Sequence, residues 1–499
     1  MGTNQYDVVI LGGGPAGERA AVQAARIGKR VALIEREHVV GGTCVNWGTI
    51  PSKTLRESAV FVLGLTTHKV EGIRVDITDK ITMADFMHHE RIVVQRELEL
   101  INQTLERYAI EVIEGHGRFL DTRTIAVTGR DGRERLRVQG EVIVIGTGSR
   151  PNRPADIRFD GEIIFDSGTI LRLTRVPESM IILGAGVVGV EYATIFASLD
   201  IQVTLVDTRD RLLPYLDREM ADLLMRSLKK LRILIIQQDR YQRIEAISGL
   251  RPSVRCHTRN GNVLEADILL YCVGRDGNTG DLGLEQIGIR PNARGLLEVN
   301  EFFQTTHPHI YAVGDVIGYP ALASTSAEQG RQAIRHAFNV PGPRGRTEML
   351  PFAIYAIPEV SFIGETEEEL QRKGVDYVAG HGLYEMNPRG QILGDTDGVL
   401  KLLCETESLR LRGVHVIGTG ASELVHIGQA YLRNAADAWQ MAETMFNYPT
   451  LSDLYRHAAL KAIAARRRKR EPNIAADSQL VESGSARRRR TPESGDPDR

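Results

Sequence analysis

Cysteine is scarce in this chain: four in 499 residues, at Cys44, Cys256, Cys272 and Cys404. They lie far apart, with no CxxC pair and no metal-ligand spacing. That argues against a disulfide-stapled secreted scaffold, gives no metal site, and makes a reducing cytoplasm the expected compartment. No run of about 18 apolar residues occurs, so no transmembrane helix and no membrane partner are expected. An excess of one charge is also missing. The formal net charge is −2, so the molecule as a whole has no nucleic-acid signature. The opening Met1-Gly2-Thr3-Asn4-Gln5-Tyr6 lacks the basic and apolar regions of a signal peptide, and Tyr6 stands where myristoylation wants Ser or Thr. What is present is ordinary for a globular protein, with 42% hydrophobic and 25% charged residues. The length suggests about three domains.

Residues 6–11 form a short apolar run leading into Gly12-Gly13-Gly14-Pro15-Ala16-Gly17. A helix-like stretch follows, then a second apolar run, Val31-Ala32-Leu33-Ile34, ending in Glu35. Strand, glycine turn, helix, strand and acid are the context that gives a dinucleotide fingerprint its meaning. Gly12 permits the tight turn, Gly14 lets the backbone approach a pyrophosphate at the helix start, and Gly17 lets helix and strand pack closely. Glu35 can accept hydrogen bonds from a ribose. The pattern recurs: residues 179–183 lead into Gly184-Ala185-Gly186-Val187-Val188-Gly189, then a helix-like stretch, then a strand at 202–206 ending at Asp207. Two complete fingerprints predict two dinucleotide sites. Asp207 suits a ribose 2′-hydroxyl, while Arg209 and Arg211 beyond it suit a 2′-phosphate, the mixed signal expected of a site that takes both NAD(H) and NADP(H).

Between these fingerprints and the chain end lie further segments with a familiar pattern. Gly41-Gly42-Thr43-Cys44-Val45-Asn46-Trp47-Gly48-Thr49-Ile50-Pro51-Ser52-Lys53 resembles the redox-active segment of the flavoprotein disulfide reductases, the class-I pyridine nucleotide-disulfide oxidoreductases. Residues 142–150 and 268–275 resemble the strands leaving that family's two nucleotide domains, with Gly148 and Gly274 at their exits. Residues 310–315 resemble its second flavin motif. The resemblance covers residues 6 to about 460. It implies an α/β fold with two Rossmann-like dinucleotide-binding domains and a C-terminal α+β dimerisation domain. The implied limits are 1–150 with 277–345 for FAD, 151–276 for NAD(P), 346–465 for dimerisation, and 466–499 as a disordered basic tail. The implied cofactor is FAD, held by the first fingerprint, Thr43, Cys44 and Asp315. The nicotinamide nucleotides are its substrates, and a homodimer, possibly a higher homo-oligomer, is the implied assembly. Lys53 is implied to lie beside the reactive flavin nitrogen and to pair with Glu191, and this pair is the catalytic expectation.

Two features of that family are missing. Its second redox cysteine is matched by Thr49, and a hydroxyl cannot form a disulfide. Its C-terminal histidine is matched by Tyr448 in Phe446-Asn447-Tyr448-Pro449-Thr450-Leu451-Ser452-Asp453, with Asp453 at the position of the orienting glutamate. A phenol with pKa near 10 is a poor general base at neutral pH. The relay and the base for its thiol substrate are both gone. What remains is hydride transfer from NADPH to FAD and then to NAD⁺, a ping-pong transhydrogenation. The alternative is a diaphorase, quinone reductase or oxidase of the same fold. Cys44 is expected to fill apolar space, and His426 with Glu423 to form a structural or interface pair. The Arg-rich stretches 466–470 and 487–490 are expected to be solvated, and nucleic acid is not an expected partner.

Overall fold

The computed structural model describes residues 3–67, 82–342 and 349–470. They form two compact units. The first contains both fingerprints, each on its own parallel sheet. In the first sheet the strands run 111–114, 31–35, 3–11 and 134–145, with 310–312 also on 134–145, all parallel. The antiparallel strands 124–128 and 116–119 extend it. The central strand is apolar on both faces because both are covered. Val9 and Leu11 enter one core with Ile34, Ile143 and Ile145. Val8 and Ile10 enter the other with Leu33, Val144 and the helix residues Ala20 and Ala24.

The second sheet repeats this plan in the order 234–236, 202–206, 179–183, 268–271 and 164–166, again all parallel. A three-stranded antiparallel sheet of 241–247, 253–258 and 263–266 accompanies it. Strands 149–151 and 275–277 pair antiparallel as a two-stranded ribbon.

The second unit is built on a five-stranded antiparallel sheet in the order 352–354, 360–364, 411–417, 399–405, 377–383. Helices Ala421–Arg433 and Leu454–Arg470 lie against it. Alternation along 399–405 sends Leu400, Leu402 and Cys404 into their shared core and turns Lys401 to the other face. There Lys401, with only 1% of its side chain exposed, meets Asp217 at 2.8 Å and Glu219 at 2.9 Å, and also Glu367. His381 Nε2 donates to Glu219 Oε2 at 3.0 Å.

The hydrogen bond with His381 and the contact with Lys401 together outweigh burial and hold the Glu219 carboxyl down at about 2. A carboxyl lowered on folding contributes stability above its unfolded value and loses it as pH falls toward the folded value. Stability of this unit is therefore expected to decline between roughly pH 4.5 and 2. The Glu219→Gln variant should show a shallower decline in acid-unfolding titrations followed by circular dichroism. An unaltered slope would remove Glu219 from the cause.

Arg466–Arg470 correct the expectation of a disordered stretch from residue 466: they complete the helix Leu454–Arg470. Lys469 pairs with Asp376 and Arg470 with Glu407, and cations are favoured at a helix C-terminus in any case. Residues 471–499 lie outside the described residues. Among the described residues no helix is long and apolar enough to cross a membrane.

Candidate functional site

The two fingerprints fold alike. Gly12 and Gly184 turn at φ of +100° and +97°, a region costly for any side chain. Gly14 and Gly186 then start the helices Pro15–Arg26 and Val187–Ala197, neither capped by a side chain. A Cβ on Gly14 would meet nothing closer than 3.7 Å, and one on Gly186 nothing within 4 Å. Neither glycine crowds its helix start, where the first-turn N–H groups of a helix suit an anion. Gly17 and Gly189 have no room for more: a Cβ on either would lie 1.9 Å from the carbonyl oxygen of Gly12 or Gly184. Gly189→Ala is expected to cost about 1–3 kcal/mol by overpacking, seen as a lower denaturation midpoint. An unchanged midpoint would show that the turn can yield.

The two fingerprint acids begin alike and end differently. Glu35 accepts from the Gly13 N–H at 2.7 Å and from the Glu37 N–H at 2.9 Å, and burial raises its carboxyl. Asp207 accepts from the Ala185 N–H at 2.6 Å, the equivalent bond. It also takes both arms of Arg209, Nε to Oδ1 at 2.8 Å and Nη2 to Oδ2 at 2.6 Å. Burial pushes the Asp207 carboxyl up, but Arg209 outweighs it and holds the group below the ordinary value. In this structure Arg209 is bound to the fingerprint acid itself.

Gly41 (φ +92°) starts the short helix Gly42–Asn46, which carries Thr43 and Cys44. A Cβ on Gly42 would come 2.9 Å from the Gly14 Cα, so this segment is seated directly against the first fingerprint. Thr43 donates to the Ser149 carbonyl at 3.4 Å. Cys44 is partly buried and unpaired. Burial pushes its thiol up, against a hydrogen bond from Thr49, with Asp315 adding repulsion. A thiol so raised stays protonated at neutral pH and is a poor nucleophile.

Thr49 begins the next helix, Thr49–Thr67, and Lys53 follows one turn later on the same face. Lys53 Nζ donates to Glu191 Oε2 at 2.6 Å, with 25% and 5% of the two side chains exposed. The structure thus brings together the pair that lies 138 residues apart in sequence.

Asp315 Oδ2 accepts from Ser149 Oγ at 2.7 Å, and Arg275 reaches within 4.0 Å of it. Arg275 Nε also donates to Ser149 Oγ, and its Nη2 to the Ser149 carbonyl, both at 2.8 Å. Gly148 and Gly274 turn at φ of +68° and +82° at the ends of this ribbon. Ser149, Arg275 and Tyr355, which supports Glu191, are site neighbours that sequence reasoning missed. Ser149 and Arg275 directly follow the glycines 148 and 274, a signal that could have found them.

In the second unit Tyr448 is 75% exposed, and Asp453 pairs with His457 at 3.3 Å. His426 meets Gln429 at 3.0 Å rather than Glu423.

A family model for the pyridine nucleotide-disulphide oxidoreductases matches residues 6–330, and one for that family's dimerisation domain matches residues 350–459. A protein of Mycobacterium bovis named soluble pyridine nucleotide transhydrogenase is 43% identical over 457 residues, covering 91% of this chain and 97% of that protein. A protein of the same name from Chromohalobacter salexigens is 42% identical over 469 residues, covering 92% and 98%. Among solved structures, the HOCl-induced flavoprotein disulfide reductase RclA of Escherichia coli superposes with a TM-score of 0.81 at 28% identity, covering 91% of this chain and 99% of that one. LpdA of Mycobacterium tuberculosis gives 0.84 at 26% identity, covering 92% and 99%. With matches to both parts of one family's architecture and relatives along almost its whole length, the chain belongs to the pyridine nucleotide-disulphide oxidoreductase family.

Proposed function

We propose that this protein is an FAD-dependent pyridine nucleotide transhydrogenase that carries out NADPH + NAD⁺ = NADP⁺ + NADH. The observation that carries the reading is the Lys53–Glu191 pair at 2.6 Å, one helical turn from a Thr49 that leaves Cys44 without a disulfide partner. The surface for hydride exchange is kept and the exit through a thiol relay is not. The names of the relatives at 42–43% identity support the same reading. The finer assignment, Si-specific NAD(P)⁺ transhydrogenase, rests on the resemblance carried by Cys44…Thr49 and residues 446–450.

The residues fit FAD on their own geometry. The open helix start at Gly14 would hold the pyrophosphate, Glu35 the adenosine ribose and Asp315 the ribityl chain, and Thr43, Cys44, Gly148 and Lys53 would be further FAD contacts. FAD, when bound, supplies a two-electron carrier that takes a hydride from one nicotinamide and returns it to the next. The chain binds each nicotinamide nucleotide in turn at the second fingerprint, Gly184, Gly186 and Gly189, with Gly274 and the Asp207–Arg209 pair at its rim. Lys53, oriented by Glu191, fixes positive charge where hydride arrives.

We assign 1–150 with 277–345 to FAD, 151–276 to NAD(P) and 346–465 to dimerisation. A homodimer, or a higher homo-oligomer, is supported by the dimerisation-domain match and by exposed Met386, Ile392, Met445 and Tyr448. A cytoplasmic setting fits four free cysteines.

The test is anaerobic mixing of FAD-loaded protein with NADPH and thio-NAD⁺, following thio-NADH. Turnover is expected. Reduction by NADPH that is discharged only by quinone or oxygen would replace this reading with the diaphorase or oxidase alternative.

A further inference from the structure

Residues 355–357 lie outside any regular element, yet two helices of the first unit hold them by three hydrogen bonds. The Tyr355 N–H donates to Glu191 Oε1 at 2.9 Å. The Ile357 N–H donates to Thr194 Oγ1 at 3.2 Å. The Ala356 carbonyl accepts from Arg56 Nε at 3.3 Å. Two of these partners flank the catalytic pair by three residues, Arg56 after Lys53 and Thr194 after Glu191. The segment is therefore registered to the pair itself.

That register sets one side chain. The Tyr355 ring centroid lies 5.0 Å from Lys53 Nζ, inside cation–π range. The ammonium then has two anchors, the Glu191 carboxylate and an aromatic face. They differ in what they do to its charge. A carboxylate cancels it, whereas a ring quadrupole holds it without adding a formal charge. With one Glu191 oxygen taken by the Tyr355 N–H and the other by Lys53, the same residue orients both members of the pair.

We infer that Tyr355 is a positioning residue for hydride transfer: its ring keeps the Lys53 ammonium seated and its charge available, so that its side chain acts through Lys53. This rests on the hydride-transfer reading above.

The experiment uses FAD-loaded holoenzyme carrying Tyr355→Phe or Tyr355→Leu, each made in the native and in the Lys53→Met background. Two quantities are read: the anaerobic rate of flavin reduction by NADPH between pH 6 and 9, and the flavin midpoint potential. Tyr355→Phe keeps the ring and should match the native protein in both. Tyr355→Leu should slow reduction roughly three- to thirty-fold and lower the potential. In the Lys53→Met background the same change should add nothing, since the partner it acts through is gone. An equal loss in both backgrounds would mark Tyr355 as merely structural and overturn the inference. So would a Tyr355→Leu protein indistinguishable from native, or a Tyr355→Phe protein as impaired as Tyr355→Leu. Failure of the transhydrogenase reading appears elsewhere, as native protein that is reduced by NADPH but does not form thio-NADH from thio-NAD⁺.

Discussion

Lys53→Met is expected to slow hydride transfer about 100- to 1000-fold, the range found when one preorganised electrostatic donor is removed from a reaction centre. Lys53 is the cation of the pair, and its removal leaves Glu191, with 5% of its side chain exposed, as a carboxylate that still accepts from the Tyr355 N–H. Burying a carboxylate without its cation is costly, so the arrangement around Glu191 should loosen as well. The loss should be the same for NADPH and NADH, because Lys53 and Glu191 lie on the helices Thr49–Thr67 and Val187–Ala197, whereas Asp207 follows the strand Gln202–Val206. Rapid-mixing reduction under nitrogen, at several pH values, measures this directly. A loss below about tenfold would remove Lys53 from the chemistry.

Arg209→Met is expected to divide the two substrates. Among the described residues, the first fingerprint acid, Glu35, has only backbone donors on its oxygens. The second, Asp207, carries a bidentate guanidinium as well. With Arg209 in place the rim of the second site is close to neutral and accepts a 2′-hydroxyl or a 2′-phosphate. Without it, Asp207 becomes a second Glu35, which welcomes the hydroxyl and repels the phosphate. A hydrogen bond to a charged group is worth about 1.5–3 kcal/mol. The kcat/KM for NADPH should therefore fall roughly 10- to 150-fold, with that for NADH held within about threefold. Equal effects on the two nucleotides would sink the assignment.

Much of the fold was legible in the chain because its signals are local. A glycine turn between two apolar runs needs no distant partner to be recognised, and both fingerprints fold as read. The Lys53–Glu191 contact was legible only through resemblance, since no pattern within either helix points to the other. Tyr355 was not legible at all. Its bond to Glu191 uses a backbone N–H that every residue but proline offers, across 164 residues. Arg209 was picked out beside Asp207 in the sequence, but its bond to Asp207 appears only in three dimensions. Arg466–Arg470 went the other way. Composition favours a disordered run, whereas a helix C-terminus and two carboxylates within reach favour order.

Thr49 beside Cys44 also fixes how many electrons a protomer can keep. A flavin with a neighbouring disulfide stores four, two on each centre. Here all four cysteines are free, and the reservoir is one hydride deep. Reductive titration should therefore reach its end at one NADPH per flavin, with no second phase. A carrier that fills in one step and has no overflow must empty before it can fill again, and strict alternation between the two nucleotides follows from counting electrons alone.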